Sequence, residues 1–324
     1  MKTTLLAASL GLAALTATAA SAMDDVIVAF AGTEDLKNDA EYVFIHAFAE
    51  SLAEHGVNVV VHPSNTLGKE SDRFDQTSQG LIAVNIGNGG VLMKASKWSS
   101  TLFLPFLTSD EASFDRIVEE SDGLAKINEE ASRLGVRVAG FAMRGGTLGL
   151  FNTEKPVTTL ADVADMRLRA QNGDQVTFMS AWGAKPTVVS WAETPNALQT
   201  GVATGHFNPP STVVAAGQVE LLNYFTPLNA GPVPKVIMMS DDWYSFLSDE
   251  ERGWVDEAVA RGIEVNRAWA LEQAPYFEQV IVDGGIEVTP LAEGEREKFV
   301  EASRAVWNQI VPQEDVDYIT QFTE

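Results

Sequence analysis

The stretch VIVAFAGTEDLKNDAEYVFIHAFAESLAEHGVNVVV, residues 26–61, decides the fold class. Val26 to Phe30 is a short apolar run of the kind a buried strand needs. A polar loop from Gly32 to Asp39 follows, and then Phe44, Phe48 and Leu52 recur at four-residue spacing with Ile45 and Ala49 beside them. That spacing puts the apolar side chains on one face of a helix over 40–54. Gly56 stops the helix, and Val57 to Val61 reads as a second strand. Strand, helix, strand at this spacing is a βαβ unit, which implies parallel pairing in an α/β protein.

Working outward, the alternation continues. Glu70 to Gln79 reads as helix, Leu81 to Ile86 as strand, Phe114 to Arg133 as an amphipathic helix ending at Gly135, and Val136 to Phe141 as strand. Leu148 to Phe151, Met166 to Ala170, Pro186 to Val189 and Val236 to Met239 are further short strands, with helices over 175–182 and 194–200. From Asp242 the pattern turns helical. Ser248 and Glu251 form a capping box, and Val255, Val259, Ile263 and Ala268 carry the helix toward Pro275, which is expected to kink or end it. Such length suits a helix that crosses between lobes. Residues 293–310 form a final helix.

The first 22 residues have the parts of an export signal. Lys2 is the positive start, Leu5 to Leu15 an apolar core, and Ala20-Ser21-Ala22 a small-x-small cleavage site, so the mature chain is expected to begin near Met23. Lys and Arg number 22 against 45 Asp and Glu, a net charge of −23. The leader holds one lysine and no acid, so its removal leaves 21 against 45, or −24. Such a surface disfavours nucleic acid and anionic lipid. There is no cysteine, which removes disulfides, thiol chemistry, lipid attachment through cysteine and cysteine metal sites together. A mature length of about 300 residues suggests two lobes.

Enzyme signatures are absent: no G-x-S-x-G elbow, no H-E-x-x-H and no phosphate-binding loop. Gly87-Asn88-Gly89-Gly90 starts a dinucleotide pattern, but Leu92 stands where its third glycine belongs. The histidines His46, His55, His62 and His206 show no metal-ligand pairing. No metal or other cofactor is called for.

The most informative stretch is residues 161–210. It contains ADVADMRLRA (161–170) and AKPTVVSWAETPNALQTGVATGHFNPP (184–210). Its ordered landmarks are Lys155-Pro156-Val157, Asp162, Arg169, Gly183-Ala184-Lys185-Pro186, Glu193, Ala197-Leu198-Gln199, Gly201, Gly205 and Asn208-Pro209. Leu67-Gly68 and Leu104-Pro105-Phe106-Leu107 flank them. In these features, and over residues 26–310, the chain resembles the periplasmic solute-binding proteins of TRAP transporters, the DctP type. The resemblance implies a two-lobed periplasmic binding protein fold. Each lobe would be a mainly parallel sheet flanked by helices, joined by a long lobe-spanning helix. It implies capture of a small organic or sugar acid by hinge closure, no catalysis, a TRAP permease as membrane partner, and a monomer.

The resemblance also implies that Arg169 grips the ligand's carboxylate. The chemistry is independent of it: a guanidinium offers a planar fork that a carboxylate fits in bidentate fashion, and an arginine in the apolar context of Met166 to Ala170 needs a partner. The competing reading is an ion pair with an interior acid. Asn208 matches the family's ligand-contacting asparagine, with a turn role before Pro209-Pro210 as the alternative, and Trp191 is either a pocket wall or a core residue. Many members carry a second arginine about five residues before the Asn-x-x-Lys-Pro segment. Here Arg144 stands eight residues before Asn152, so either it is brought into the site or that contact is lost. Asn152, Glu34, Glu70, Arg73 and Asn88 are further candidates from loops beyond strand ends.

The expected division is a signal peptide over 1–22, one lobe of 23–147 plus 234–270, and a second of 148–233 plus 271–324. Two other readings are an ABC-type solute receptor and an exported lyase or hydrolase using Glu70, His206 or Asp174.

Overall fold

A computed structural model of the chain describes residue 23 and residues 25–323. The export signal read over 1–22 therefore lies outside the described residues. The strands are β1 (Val26–Ala29), β2 (Val59–His62), β3 (Val84–Asn88), β4 (Val136–Asn152), β5 (Leu168–Ala170), β6 (Thr187–Val188), β7 (Gly205–Asn208), β8 (Tyr224–Ser240) and β9 (Glu287–Val288). They form one sheet in the order β2-β1-β3-β8-β4-β7-β5-β6, with β9 on β8. The opening βαβ unit is present: β1 lies parallel to β2, and the helix Ala40–Ala53 between them buries Phe44, Ile45, Phe48 and Leu52.

The lobes are two parallel groups, β2-β1-β3 and β7-β5-β6, at opposite ends of this sheet. Joining them are β4 and β8, each 17 residues long and antiparallel to one another. Sequence patterning reads β4 as two strands and β8 as one short one, because glycines and prolines interrupt both midpoints. In the structure Met143 pairs with Pro234 and Thr147 with Pro232, and the register shifts between them. Proline has no N–H to give to the ladder, so pairing is thinnest where the strands pass from one lobe to the other. Gly145 and Gly146 have φ of 77° and 78° at that point, the left-handed region that glycine occupies without steric cost.

The long helix, Asp249–Asp283, spans 35 residues and keeps the Ser248–Glu251 capping box. It continues through Pro275 rather than ending there. The carbonyl that loses its partner belongs to Leu271, which is 71 % exposed, so water can serve it. Gly262 admits Phe44 against the helix backbone; a Cβ there would lie 2.7 Å from the phenyl ring. Asn266, fully buried, accepts from the Met143 N–H at 2.6 Å and donates to the Met143 and Ala40 carbonyls at 3.0 Å each. The helix is thereby tied to β4 at the residue facing Pro234, where the ladder lacks a donor.

Apolar side chains gather in four clusters. Two flank the first group of strands, around Phe44, Phe48 and Ile86 and around Phe114, Ile127 and Val138. Two flank the second, around Phe178, Trp182 and Phe207 and around Phe151, Leu198 and Phe225. The C-terminal residues Trp307, Val316 and Ile319 pack with Phe114 and Ile127, in the first half. No helix among the described residues is long and apolar enough to cross a membrane.

One surface-proximal cluster yields a pH prediction. Arg267 on the long helix donates to both oxygens of Asp115, at 2.7 and 2.6 Å, while the neighbouring Glu111 has a buried carboxyl oxygen without a partner. Burial pushes the Glu111 carboxyl up to about 7 from 4.5, with Asp115 and Asp110 adding to the rise and Arg267 opposing it. A folded-state value above the unfolded one means stability that is full below pH 4.5 and is lost as pH rises toward 7. Glu111→Gln therefore gains stability relative to wild type on going from pH 5 to pH 8, by on the order of 2 kcal/mol. Thermal melts at the two pH values measure it, and a pH-independent difference would refute it.

Candidate functional site

Between the two parallel groups lies a cavity of about 850 Å³, counting its opening to solvent. The loop after β1, the end of β3, the midpoints of β4 and β8, and the C-terminal ends of β5 and β7 all contribute to it. Ligands in α/β proteins collect at such strand ends because loops and unpaired backbone groups converge there. The lining includes Asn88, Arg144, Arg169, Gln171, Trp191, Asn208 and Lys235. A second hollow of about 810 Å³ adjoins it and shares Asn88, Arg144, Gln171 and Asn208.

Arg169, only 6 % exposed, projects from β5, where the strand pairs with β6 and β7. Its Nε donates to the Val189 carbonyl at 2.9 Å, and its guanidinium lies 5.5 Å from the centre of the Trp191 ring. No carboxylate lies within 4.0 Å of it among the described residues, so the interior ion pair weighed as its alternative role is not formed. Burial first, and the charge of Arg144 second, lower its pKa to about 10. The side chain stays protonated and has unused donors facing a cavity.

Arg144 reaches the same cavity from the gap between the two halves of β4. One Nη donates to Thr212 Oγ1 at 3.0 Å, the other to Asn88 Oδ1, and its Nε is buried without a partner. Asn88 in turn donates through its backbone N–H and its side chain to the two oxygens of Glu70. Glu70 thus acts on Arg144 through Asn88 without lining the cavity. Arg144 too has no carboxylate within 4.0 Å among the described residues; burial holds its pKa below the usual arginine range, and Glu41, Glu70 and Asp39 support its charge at a distance.

Asn208 ends β7, and its Nδ2 meets His206 Nδ1 at 3.0 Å. Burial and the nearby Arg169 drive the His206 pKa down to about 3, so the ring is neutral and its Nδ1 accepts. That arrangement leaves the Asn208 carbonyl oxygen for the cavity. The fixed His206 is packed on Phe151 and Trp191.

The other candidates sit elsewhere. Arg73 is fully buried and donates to Asn85 at 3.0 Å, to Asn65, and to the carbonyls of Gly68 at 3.2 Å and Ile86 at 3.5 Å, which holds the loop after β2. Asn152 Oδ1 accepts from the N–H groups of Glu154 and Lys155, both at 2.9 Å, and so shapes the turn after β4. Glu34 is exposed on the loop after β1 and does not line the cavity. Asp174 accepts from Ser100 at 2.9 Å and lines the second hollow.

Sequence reasoning missed Asp39, Glu41 and Lys235, which all line the cavity. Asp39 caps the helix Ala40–Ala53, accepting from the N–H groups of Glu41 at 2.9 Å and Tyr42 at 3.1 Å, and burial raises its carboxyl to about 6. Glu41, in the first turn, forms an ion pair with Lys235 in which both side chains are 8 % exposed. Lys235 stands in the apolar run Val233-Pro-Lys-Val-Ile-Met, and a lysine there is a signal that could have been read.

A cavity between two lobes, lined by buried cations of which Arg169 and Arg144 have no carboxylate partner among the described residues, suits a solute-binding protein. The family model for bacterial extracellular solute-binding protein, family 7 (DctP), matches residues 31–314, and the chain belongs to that family. The family is one of binding proteins, not enzymes, so Glu70, His206 and Asp174 are not catalytic groups. Among relatives, the chain is 26 % identical over 308 residues to the ectoine/5-hydroxyectoine-binding periplasmic protein UehA of Ruegeria pomeroyi, covering 92 % of this chain and 88 % of that one. It is 26 % identical to the C4-dicarboxylate-binding periplasmic protein DctP of Vibrio cholerae, covering 81 % and 80 %. Its fold is similar to a TRAP periplasmic solute-binding protein from Shewanella oneidensis with bound succinate, TM-score 0.85 at 19 % identity over 93 % of this chain and 99 % of that one. A TRAP protein from Sulfitobacter with bound β-D-galacturonate gives TM-score 0.83 at 22 % identity, covering 93 % and 99 %.

Proposed function

We propose that the protein captures a small organic or sugar acid outside the cytoplasmic membrane and delivers it to a TRAP-type permease. The observation that carries this reading is the buried Arg169 guanidinium, held by one backbone carbonyl and facing the cavity without a counter-ion among the described residues. A charge buried at that cost needs a partner, and a carboxylate supplies one with bidentate geometry. Arg144 comes from the other side of the same cavity, and the Asn208 carbonyl accepts from a ligand hydroxyl. The names of the relatives support the class of solute without choosing within it.

Closure follows from the same geometry. The lobes are 23–147 with 234–270 and 148–233 with 271–324, with the packed C-terminal residues Trp307 to Ile319 joining the first. An acid bound between Arg169 of one lobe and the β1 loop of the other favours the closed state by its differential contacts. Bending is concentrated where β4 and β8 lose their ladder. Export proceeds by a leader cleaved near Ala22, and the receptor works as a monomer.

Calorimetric titration tests the reading with acids and their methyl esters as matched pairs. An acid that binds while its ester fails, with small-angle scattering showing compaction on binding, is the expected outcome. Equal binding of acid and ester would overturn it.

A further inference from the structure

The cavity holds more charge than one carboxylate grip requires. Arg144, Arg169 and Lys235 line it as cations, and Asp39 and Glu41 as anions. Asp39 accepts from the backbone N–H groups of Thr33, Glu41 and Tyr42, which favour its carboxylate near neutral pH although burial raises its pKa to about 6. Behind the wall, Glu70 and the buried Arg73 carry opposite charges, Arg73 being supported first by Glu41 and then by Glu70. The lining therefore carries one net positive charge. A solute with one carboxylate neutralises it, and a solute with two leaves an excess negative charge among buried side chains, where like charges repel more strongly than in water.

Glu41 sets that count. Its Oε1 holds the Lys235 ammonium, and its Oε2 accepts from the Ala31 N–H at 3.4 Å, so the carboxylate is pinned from both sides at the first turn of its helix. Lys235 comes from β8 beside Pro234, opposite Asn88 of β3 and Ala142 of β4. It is thus fixed at the thin part of the strand crossing, where a long solute reaching past Arg169 and Arg144 would end. The pair occupies, with the protein's own atoms, the arrangement that a second carboxylate of a solute would make with Lys235.

We propose that Glu41 is the specificity-determining residue of the cavity: by engaging Lys235 it stands in for a second carboxylate and restricts the site to solutes carrying a single one. This rests on the carboxylate reading above. Neutral polar groups at the far end of the solute, such as hydroxyls, remain acceptable because Asn88, Gln171 and Thr212 meet them without adding charge. Burial and the charge of Arg144 lower the Lys235 pKa while Glu41 and Glu70 raise it, so the ammonium depends on a nearby anion. Glu41 provides that anion in the empty protein.

Titration calorimetry on wild type, Glu41→Gln and the double variant Glu41→Gln/Lys235→Gln, each with matched probes, decides the matter. The probes are galactonate with galactarate and 4-hydroxybutyrate with succinate, pairs equal in chain length that differ in a second carboxylate. Wild type is expected to bind the monoacid of a pair at least tenfold tighter than the diacid. Glu41→Gln is expected to shift that ratio toward the diacid by at least tenfold, since the second carboxylate takes the place of Glu41 at Lys235. The double variant, neutral at both positions, returns the ratio to within about threefold of wild type. A wild-type ratio at or below one overturns the inference without any variant, as does an unchanged ratio in a Glu41→Gln protein with a native melting profile. If Glu41→Gln does not fold, the double variant keeps the test: a ratio moved toward the diacid in that protein, which has no ammonium at 235, also overturns it. Acids that bind through Arg169 with no discrimination sink this inference alone. Binding of neutral or cationic solutes with no acid bound sinks the carboxylate reading as well.

Discussion

Arg169→Met binds acid solutes at least about a hundredfold more weakly than wild type, and the empty variant melts at the same temperature or higher. Removing one partner of a buried charge pair costs 2–5 kcal/mol or more in affinity, because the carboxylate is left enclosed and unpaired. In the empty protein the sign reverses. Arg169 is desolvated, has no acidic partner within 4.0 Å among the described residues, and gives up its bond to the Val189 carbonyl and its contact with the Trp191 ring when replaced. An unpaired buried charge opposes folding, and an unbranched apolar side chain fills nearly the same volume. Parallel calorimetry and thermal melts read both effects. A variant that melts several degrees lower and still binds its acid would make Arg169 a structural residue.

Asn266→Leu is expected to have the largest effect on stability, about 4–6 kcal/mol. Three hydrogen bonds to backbone groups are lost, each worth about 1 kcal/mol net, and the Met143 N–H is left buried without an acceptor at a further 1–3 kcal/mol. The neighbouring strand cannot replace the donor that the Met143 carbonyl also loses, because the residue opposite is Pro234, which has no N–H. Urea unfolding measures the loss as a lowered midpoint with an unchanged slope. A shift below about 1 kcal/mol would mean that the long helix is held to β4 by its apolar contacts alone.

Local patterning made much of this molecule legible. The spacing of Phe44, Phe48 and Leu52, with strands on either side, is decided by period alone, and so is the parallel β1–β2 pair it builds. Arg169 could be singled out because an arginine amid Met166, Leu168 and Ala170 has to answer for its charge. The continuity of β4 and β8 was not legible. Gly145, Gly146, Pro232 and Pro234 are strand breakers by intrinsic preference, and only the pairing of two broken strands with each other makes each one continuous. Glu41 escaped notice for another reason: an acid in the first turn of a helix is ordinary, and its burial comes from Lys235, 194 positions away. Tertiary partners of that separation leave no local mark.

The cationic cavity sits inside a chain with 45 acidic and 22 basic residues, and this affects the rates of binding more than its strength. An approaching anion is repelled at distances beyond the mouth and attracted only once inside. Salt screens the outer repulsion over about 8–10 Å and reaches the enclosed cations much less. The association rate for an acid therefore rises with ionic strength, opposite to the slowing seen when charges of unlike sign steer an encounter. In a saline medium the receptor fills faster, and the solute it already holds is retained about as long as before.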